Sequence, residues 1–173
     1  MDQASKPQQH LSMPALNKLH TYFKIDQSSP SGLLRIKASR GRNGKVGPVL
    51  SKDREGYYRV KFKGVHYRTH RIIYFMHTGE DPSHWVVDHA DGDISNNCVE
   101  NLRRCSHVEN LRNARKRGKG DLPKGISKLP NGMYRAQVTL DSGVHYFDFA
   151  SLSTAGSYLD QVRKRHHGEF ARN

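Results

Sequence analysis

VVDHADGDISNNCVENLRRCSHVENLRN, residues 86–113, begins as a short apolar strand and turns polar at Asp88-His89. Residues 90–101 form a polar loop with several asparagines, and residues 102–105 read as a return strand. Ser106 followed by Glu109 is a capping-box pattern, so a helix opens there and runs through NLRNARKR until Gly118 and Gly120 stop it. The stretch therefore carries a carboxylate and an imidazole at one strand end and an amide, Asn110, in the first turn of the helix, 22 residues after Asp88. An imidazole with an ordinary pKa of about 6.5 suits a general base at neutral pH. A carboxylate and an amide oxygen suit a hard divalent ion that keeps most of its waters. Neighbouring strand residues point to opposite faces, so Asp88 and His89 converge only if the chain is already turning at that point.

Toward the N-terminus, residues 57–68 read as a β-hairpin about Lys63-Gly64. Tyr58, Val60 and Phe62 alternate with Arg59, Lys61 and Lys63, the period of a half-buried strand. HRIIYFMHTG (residues 70–79) suits a short buried helix ending at Gly79. Residues 16–25 allow one short helix. Residues 1–15 read as a loose end, and residues 26–56 as a basic, Gly/Ser/Pro-rich flexible loop. The run SRGRNGK (39–45) is read as solvated rather than as a dedicated phosphate site.

Toward the C-terminus, residues 118–124 read as a linker. Residues 133–140 and 144–149 are strands joined by the turn Asp141-Ser142-Gly143, with a third, shorter strand over 125–128 and an amphipathic helix over 154–166. Alternation turns Tyr134, Ala136, Val138 and Leu140 toward that helix. It turns Arg135, Gln137 and Thr139 outward, with His145 beside them on the next strand. The expected division is a basic, partly flexible segment over 1–56, a catalytic domain over 57–117, the linker, and a sheet-and-helix domain over 125–173.

Composition limits the function classes. Of 173 residues, 29 are Lys or Arg and 16 Asp or Glu, a net charge of +13 with His neutral. No stretch approaches the roughly 18 apolar residues of a membrane span, and the N-terminus has no signal-peptide apolar region. Two cysteines cannot make a disulfide framework, so a reducing compartment is expected. A folded, strongly basic chain points to a polyanionic partner, with nucleic acid first. An EF-hand over 91–102 is rejected, because Asn96 stands where Gly is needed and Leu102 where Glu is. Cys98 and Cys105 lack a C-x-x-C pair, so two buried thiols are expected rather than zinc. His70 is expected to be a packing residue, and His66, His77, His166 and His167 to have surface roles.

The order Asp88-His89, Asp91-Gly92, Asn96-Asn97, Asn101-Leu102, then Glu109-Asn110 and Asn113 resembles the phage and intron-encoded HNH nucleases, also called His-Me finger or ββα-metal proteins. The preceding hairpin, His-Arg helix, Gly and Pro resemble that group's lead-in. The resemblance implies an α+β fold: a ββα-metal core preceded by a hairpin and helix, followed by a small three-stranded antiparallel sheet plus one helix. It implies a phage-encoded, homing-type DNA endonuclease with His89 as general base and one divalent metal, Mg2+ first and Mn2+ second, on Asp88 and Asn110. Asn101 matches the brace that orients the base, with Asn97 as runner-up, and Asn113 adds a phosphate or metal-water contact. KGIS, YRAQV, FDFASLSTAGSYLD and GEFARN resemble the Apetala-2-type DNA-binding domain, whose sheet lies in the major groove. That likeness implies DNA contacts from Lys128, Arg135, Gln137, Thr139 and His145. Arg112, Arg115, Lys116, Arg117 and Lys119 are expected to follow the backbone between the two sites. The expected setting is a monomer on double-stranded DNA in the host cytoplasm. The competing classes are a DNA-binding regulator that keeps the fold without cleaving, and a basic RNA-binding protein.

Overall fold

The computed structural model describes residues 12–40, 44–113 and 121–168. Arg115, Lys116, Arg117 and Lys119 lie outside the described residues. The chain divides into two compact units, Met1–Ser106 and His107–Asn173, and α3 (His107–Asn113) opens the second. No helix of the described residues is long and apolar enough to cross a membrane.

In the first unit, α1 (Leu16–Tyr22) runs straight into β1 (Phe23–Ile25). The helix expected over 16–25 stops early because Phe23 is extended and sinks its ring into the core, 1% exposed. β2 (Leu33–Arg35) and β3 (Gly47–Pro48) complete an antiparallel sheet in the order β1-β2-β3. Residues 26–56 were expected to form a flexible basic segment. Instead they place Leu33, Ser31 and Arg35 in the interior, at 0%, 0% and 2% exposure. Strands of three and two residues are too short to leave a periodicity that sequence reading can use. Met13, in the expected loose end, is also buried, and its N–H donates to Ser83 Oγ.

The hairpin forms as expected. β4 (Arg59–Phe62) pairs with β5 (Val65–Arg68) through Lys63-Gly64, both at positive φ (49° and 86°). Such a two-residue turn matches the twist of the strands. Val60 and Phe62 go inward and Lys61 outward. α2 (Thr69–Thr78) follows and ends on Gly79 at φ 76°, whose N–H donates to Phe75 C=O. Phe62 meets Tyr22 and Phe23 edge-on at 5.1 and 5.5 Å, while Ile72 and Ile73 are fully covered. Each such side chain contributes about 1.5–3 kcal/mol by burial. Arg71 donates to the carbonyls of Pro82 and Trp85, tying α2 to the start of β6 (Val86–His89). β6 pairs antiparallel with β7 (Leu102–Cys105), matching His89 with Leu102 and Asp88 with Arg103. Cys105 is buried, but Cys98 is only partly covered, because it lies where the polar loop turns over the surface, and its Sγ–H donates to Glu100.

In the second unit, β8 (Ile126–Lys128), β9 (Tyr134–Leu140) and β10 (Gly143–Phe149) form an antiparallel sheet in the order β10-β9-β8, backed by α4 (Leu152–His167). Ser151 caps α4, its Oγ accepting the Thr154 N–H at 3.1 Å. Ile126, Ala136, Val138, Ala155 and Leu159 make the small core. Gly125, at φ 77°, is required: a Cβ would stand 2.6 Å from Arg163 Nη2 and 2.8 Å from Gln137 O.

The β9–β10 register corrects one expectation. The turn is two residues, Asp141-Ser142, with Gly143 already paired to Leu140. His145 therefore stands opposite Val138, on the helix-facing side, and its Nε2 shares a hydrogen bond with Ser142 Oγ. A one-residue shift moves every side chain to the other face. The outward partners of Arg135, Gln137 and Thr139 are Asp148, Tyr146 and Val144.

Candidate active site

β6 delivers Asp88 and His89 into the first unit at 7% and 3% exposure. The chain does turn there, the Gly92 N–H bonding back to the His89 carbonyl at 2.8 Å. Residues 90–101 then fold as a braced loop. Asn101 Oδ1 accepts the Asp91 N–H, and its amide nitrogen donates to Asp91 Oδ1 and to the Asn96 carbonyl at 2.9 and 2.8 Å. Asp91 stays ionised below the usual carboxylate range: burial works against this, but hydrogen bonds from Asn96, the Asp93 amide and Asn101 outweigh it.

The direct contact with the imidazole comes from Asn97, not Asn101. Asn97 is 3% exposed, and its Oδ1 stands 2.9 Å from His89 Nε2. Its Nδ2 donates to the Ser31 carbonyl at 3.0 Å and to Thr69 Oγ1 at 3.2 Å. A carbonyl can only accept, so the Asn97 amide has one orientation and its oxygen faces His89. His89 therefore donates from Nε2, and in the neutral ring Nδ1 carries the lone pair. Ser31 reaches this point from the segment expected to be flexible. Gly32 allows the approach: at φ 70°, its missing Cβ would stand 3.0 Å from Ile73 and 3.1 Å from the Asn97 carbonyl.

Two rings flank the imidazole. His70 lies edge-on to His89 at 4.9 Å, and Tyr57 is tilted against it at 6.2 Å. His70 is held neutral, well below the ordinary imidazole range, first by burial and then by the electrostatic influence of the neighbouring His89, Arg68 and Arg71. Burial also raises the Tyr57 hydroxyl; Arg68 opposes this, and Glu55, Asp53 and Asp88 add to it. Arg68 lies over the Tyr57 ring at 3.9 Å and is itself paired with Asp53. The expected packing role of His70 thus places it against the candidate base.

Asp88 carries a partner that sequence reading missed. Arg103, its cross-strand neighbour, donates from Nε and Nη2 to Asp88 Oδ2, both at 3.1 Å. Asn110 and Asn113 stand on α3, and so does Arg112. The donor types of Asp88 and Asn110 are hard oxygens, which fits a water-rich divalent ion. Among the described residues no group of three or more His, Cys, Asp or Glu is placed to hold a metal ion.

On the second unit, Lys128, Gln137 and Thr139 are exposed. Arg135 is engaged by Asp148 through two bonds, 2.7 and 2.8 Å, and lies 5.8 Å from the Tyr146 ring centroid. Tyr146, 58% exposed, is the outward aromatic that the three-residue turn reading had hidden.

Comparison with known proteins gives these sites a context. Residues 67–112 match the model of a family described as HNH endonuclease, a span that takes in β6, the braced loop and β7. Over 108 residues, 61% of the chain, the sequence is 31% identical to "Protein 3.8" of Escherichia phage T7, covering 88% of it. No solved structure matches the chain. An HNH endonuclease pattern laid over the Asp88-His89 turn, together with this phage relative, shows that the chain belongs to the HNH endonuclease family.

Proposed function

We propose that the chain is a metal-dependent, homing-type endonuclease that hydrolyses phosphodiester bonds in duplex DNA. The observation that supports this best is the His89–Asn97 bond, which in the neutral ring puts the proton on Nε2 and the lone pair on Nδ1. In this reading Nδ1 takes the proton of the attacking water, and Asn97 holds the ring while charge develops on it. His70, kept neutral, packs the ring without adding a second positive charge. Asp88 and Asn110 are the residues to hold a divalent cation, which when bound supplies charge neutralisation at the phosphate and a Lewis acid for the departing 3′ oxygen. Asn101 keeps the loop closed so that Asn97 stays in place. The C-terminal sheet, read as an Apetala-2-type module, positions the nuclease through Gln137, Thr139, Tyr146 and Lys128.

One observation favours a second reading, a DNA-binding regulator that does not cleave: Asp88 Oδ2 already takes both Arg103 bonds. Plasmid conversion separates the two. The nuclease reading predicts nicked or linear product with Mg2+ or Mn2+ and none with EDTA. Plasmid binding with no metal-dependent product would establish the regulator.

A further inference from the structure

The first unit carries a groove of about 730 Å³ between the basic loop after β2 and the β4–β5 hairpin. Arg40, Lys45, Arg59, Lys61, Lys63 and His66 line it, and no acidic side chain does. Among the described residues none of these six forms an ion pair. We infer that this groove is a second DNA-docking track, which takes the sugar–phosphate backbone of duplex DNA and leads it toward the His89 site.

Three features of the groove call for an anion. Its floor holds Arg35, 2% exposed, whose guanidinium donates to Ser39 Oγ and to the Lys61 carbonyl, both at 3.1 Å, and lies over the Phe23 ring. None of those partners carries charge, and a buried cation without a counter-charge is costly. Lys61 and His66 stand directly opposite each other across the hairpin, so protonating His66 sets two cations side by side unless an anion lies against them. Burial, Arg59 and Lys61 hold the His66 imidazole below its usual range, which reports the positive field there. At the tip, Lys63 takes a positive φ of 49° where Asn or Gly is favoured, keeping a cation at a strained turn position.

The track also has a direction. From Lys63 to Arg59 the strand covers about 13 Å, or roughly four base-pair steps of backbone. Arg59 is two residues from Tyr57, whose ring lies 6.2 Å from that of His89. The inference rests on the nuclease reading only in choosing duplex DNA as the polyanion.

The test is a salt titration of binding to a labelled duplex in EDTA, with the full chain and its Lys45→Gln, Lys61→Gln, Lys63→Gln variant. Three lost phosphate contacts make the slope of log affinity against log salt shallower by about 2–3, and weaken binding to unrelated sequences equally. An unchanged slope and affinity would overturn the track. If the triple variant melts early, Lys45→Gln alone reads the same effect at about 0.9 in slope. Duplex RNA competing as well as DNA would overturn the choice of partner. A wild-type chain that binds but never cuts sinks the nuclease reading and leaves the track standing. A chain that cuts while the variant keeps its slope does the reverse.

Discussion

The two units use their polar side chains in opposite ways. In the first, the buried Asn97 amide bonds both the His89 ring and the Ser31 carbonyl, so the amide has one orientation and the neutral imidazole one proton position. In the second, Arg135, Asp148, Gln137 and Tyr146 sit on an outward sheet face where water competes for every bond. A buried chain of bonds can fix the tautomer of a base. An exposed face can only offer groups that rearrange around a partner. Changes in the buried network around His89 should therefore act on chemistry and folding, and changes on the outer face of the C-terminal sheet on affinity.

The largest expected effect is on His89→Ala. Loss of a general base lowers single-turnover cleavage by about 10²–10⁴-fold, with DNA affinity within a few-fold. Cleavage at the wild-type rate would remove the contrast by showing that the buried network is not catalytic. Asn97→Ala comes next. It removes the acceptor of the His89 Nε2–H and the donor to the Ser31 carbonyl in the interior, costing about 1–3 kcal/mol for each bond lost, read by denaturant unfolding. Gly32→Ala forces a Cβ into left-handed backbone against Ile73 and should cost about 1–2 kcal/mol by the same measurement.

A smaller effect concerns pH. His70 has its folded-state pKa lowered, so the unfolded chain binds the extra proton first. Its contribution to stability is fully present above the ordinary imidazole range, near 6.5, and is lost as pH falls below it. Melting temperature followed downward from neutral pH should fall less steeply for His70→Phe than for wild type; parallel curves would show that His70 is not held neutral. The smallest effect belongs to the outer sheet. Tyr146→Ala should weaken DNA binding about 5-fold, roughly 1 kcal/mol, while His145→Ala on the helix side leaves it unchanged. The reverse ranking would contradict the two-residue turn.

Two hairpins show what could be seen in the sequence and what could not. In β4–β5 the alternation and Lys63-Gly64 set the register without ambiguity. In β9–β10, Asp141-Ser142-Gly143 suits a turn of two residues or three, and the strands are compatible with either until the core chooses. The helix end at Gly79 and the β6-loop-β7 order were legible because each is a local signal. The Ser31–Asn97 bond joins residues 66 apart, and no local pattern announces it. Arg103 was legible in principle: it is the cross-strand neighbour of Asp88 once the β6–β7 register is known. Asn97 and Asn101 are both loop asparagines, and only the fold shows that one holds the imidazole and the other the loop.

The proton on the His89 ring is the most direct thing to measure. Long-range proton–nitrogen correlation spectra of the isotope-labelled full chain, with His89→Gln for assignment, report which nitrogen is protonated in the neutral state. The account predicts the proton on Nε2, facing Asn97, and the lone pair on Nδ1. A proton on Nδ1 would contradict it, because the nitrogen assigned to take the water's proton would already be occupied.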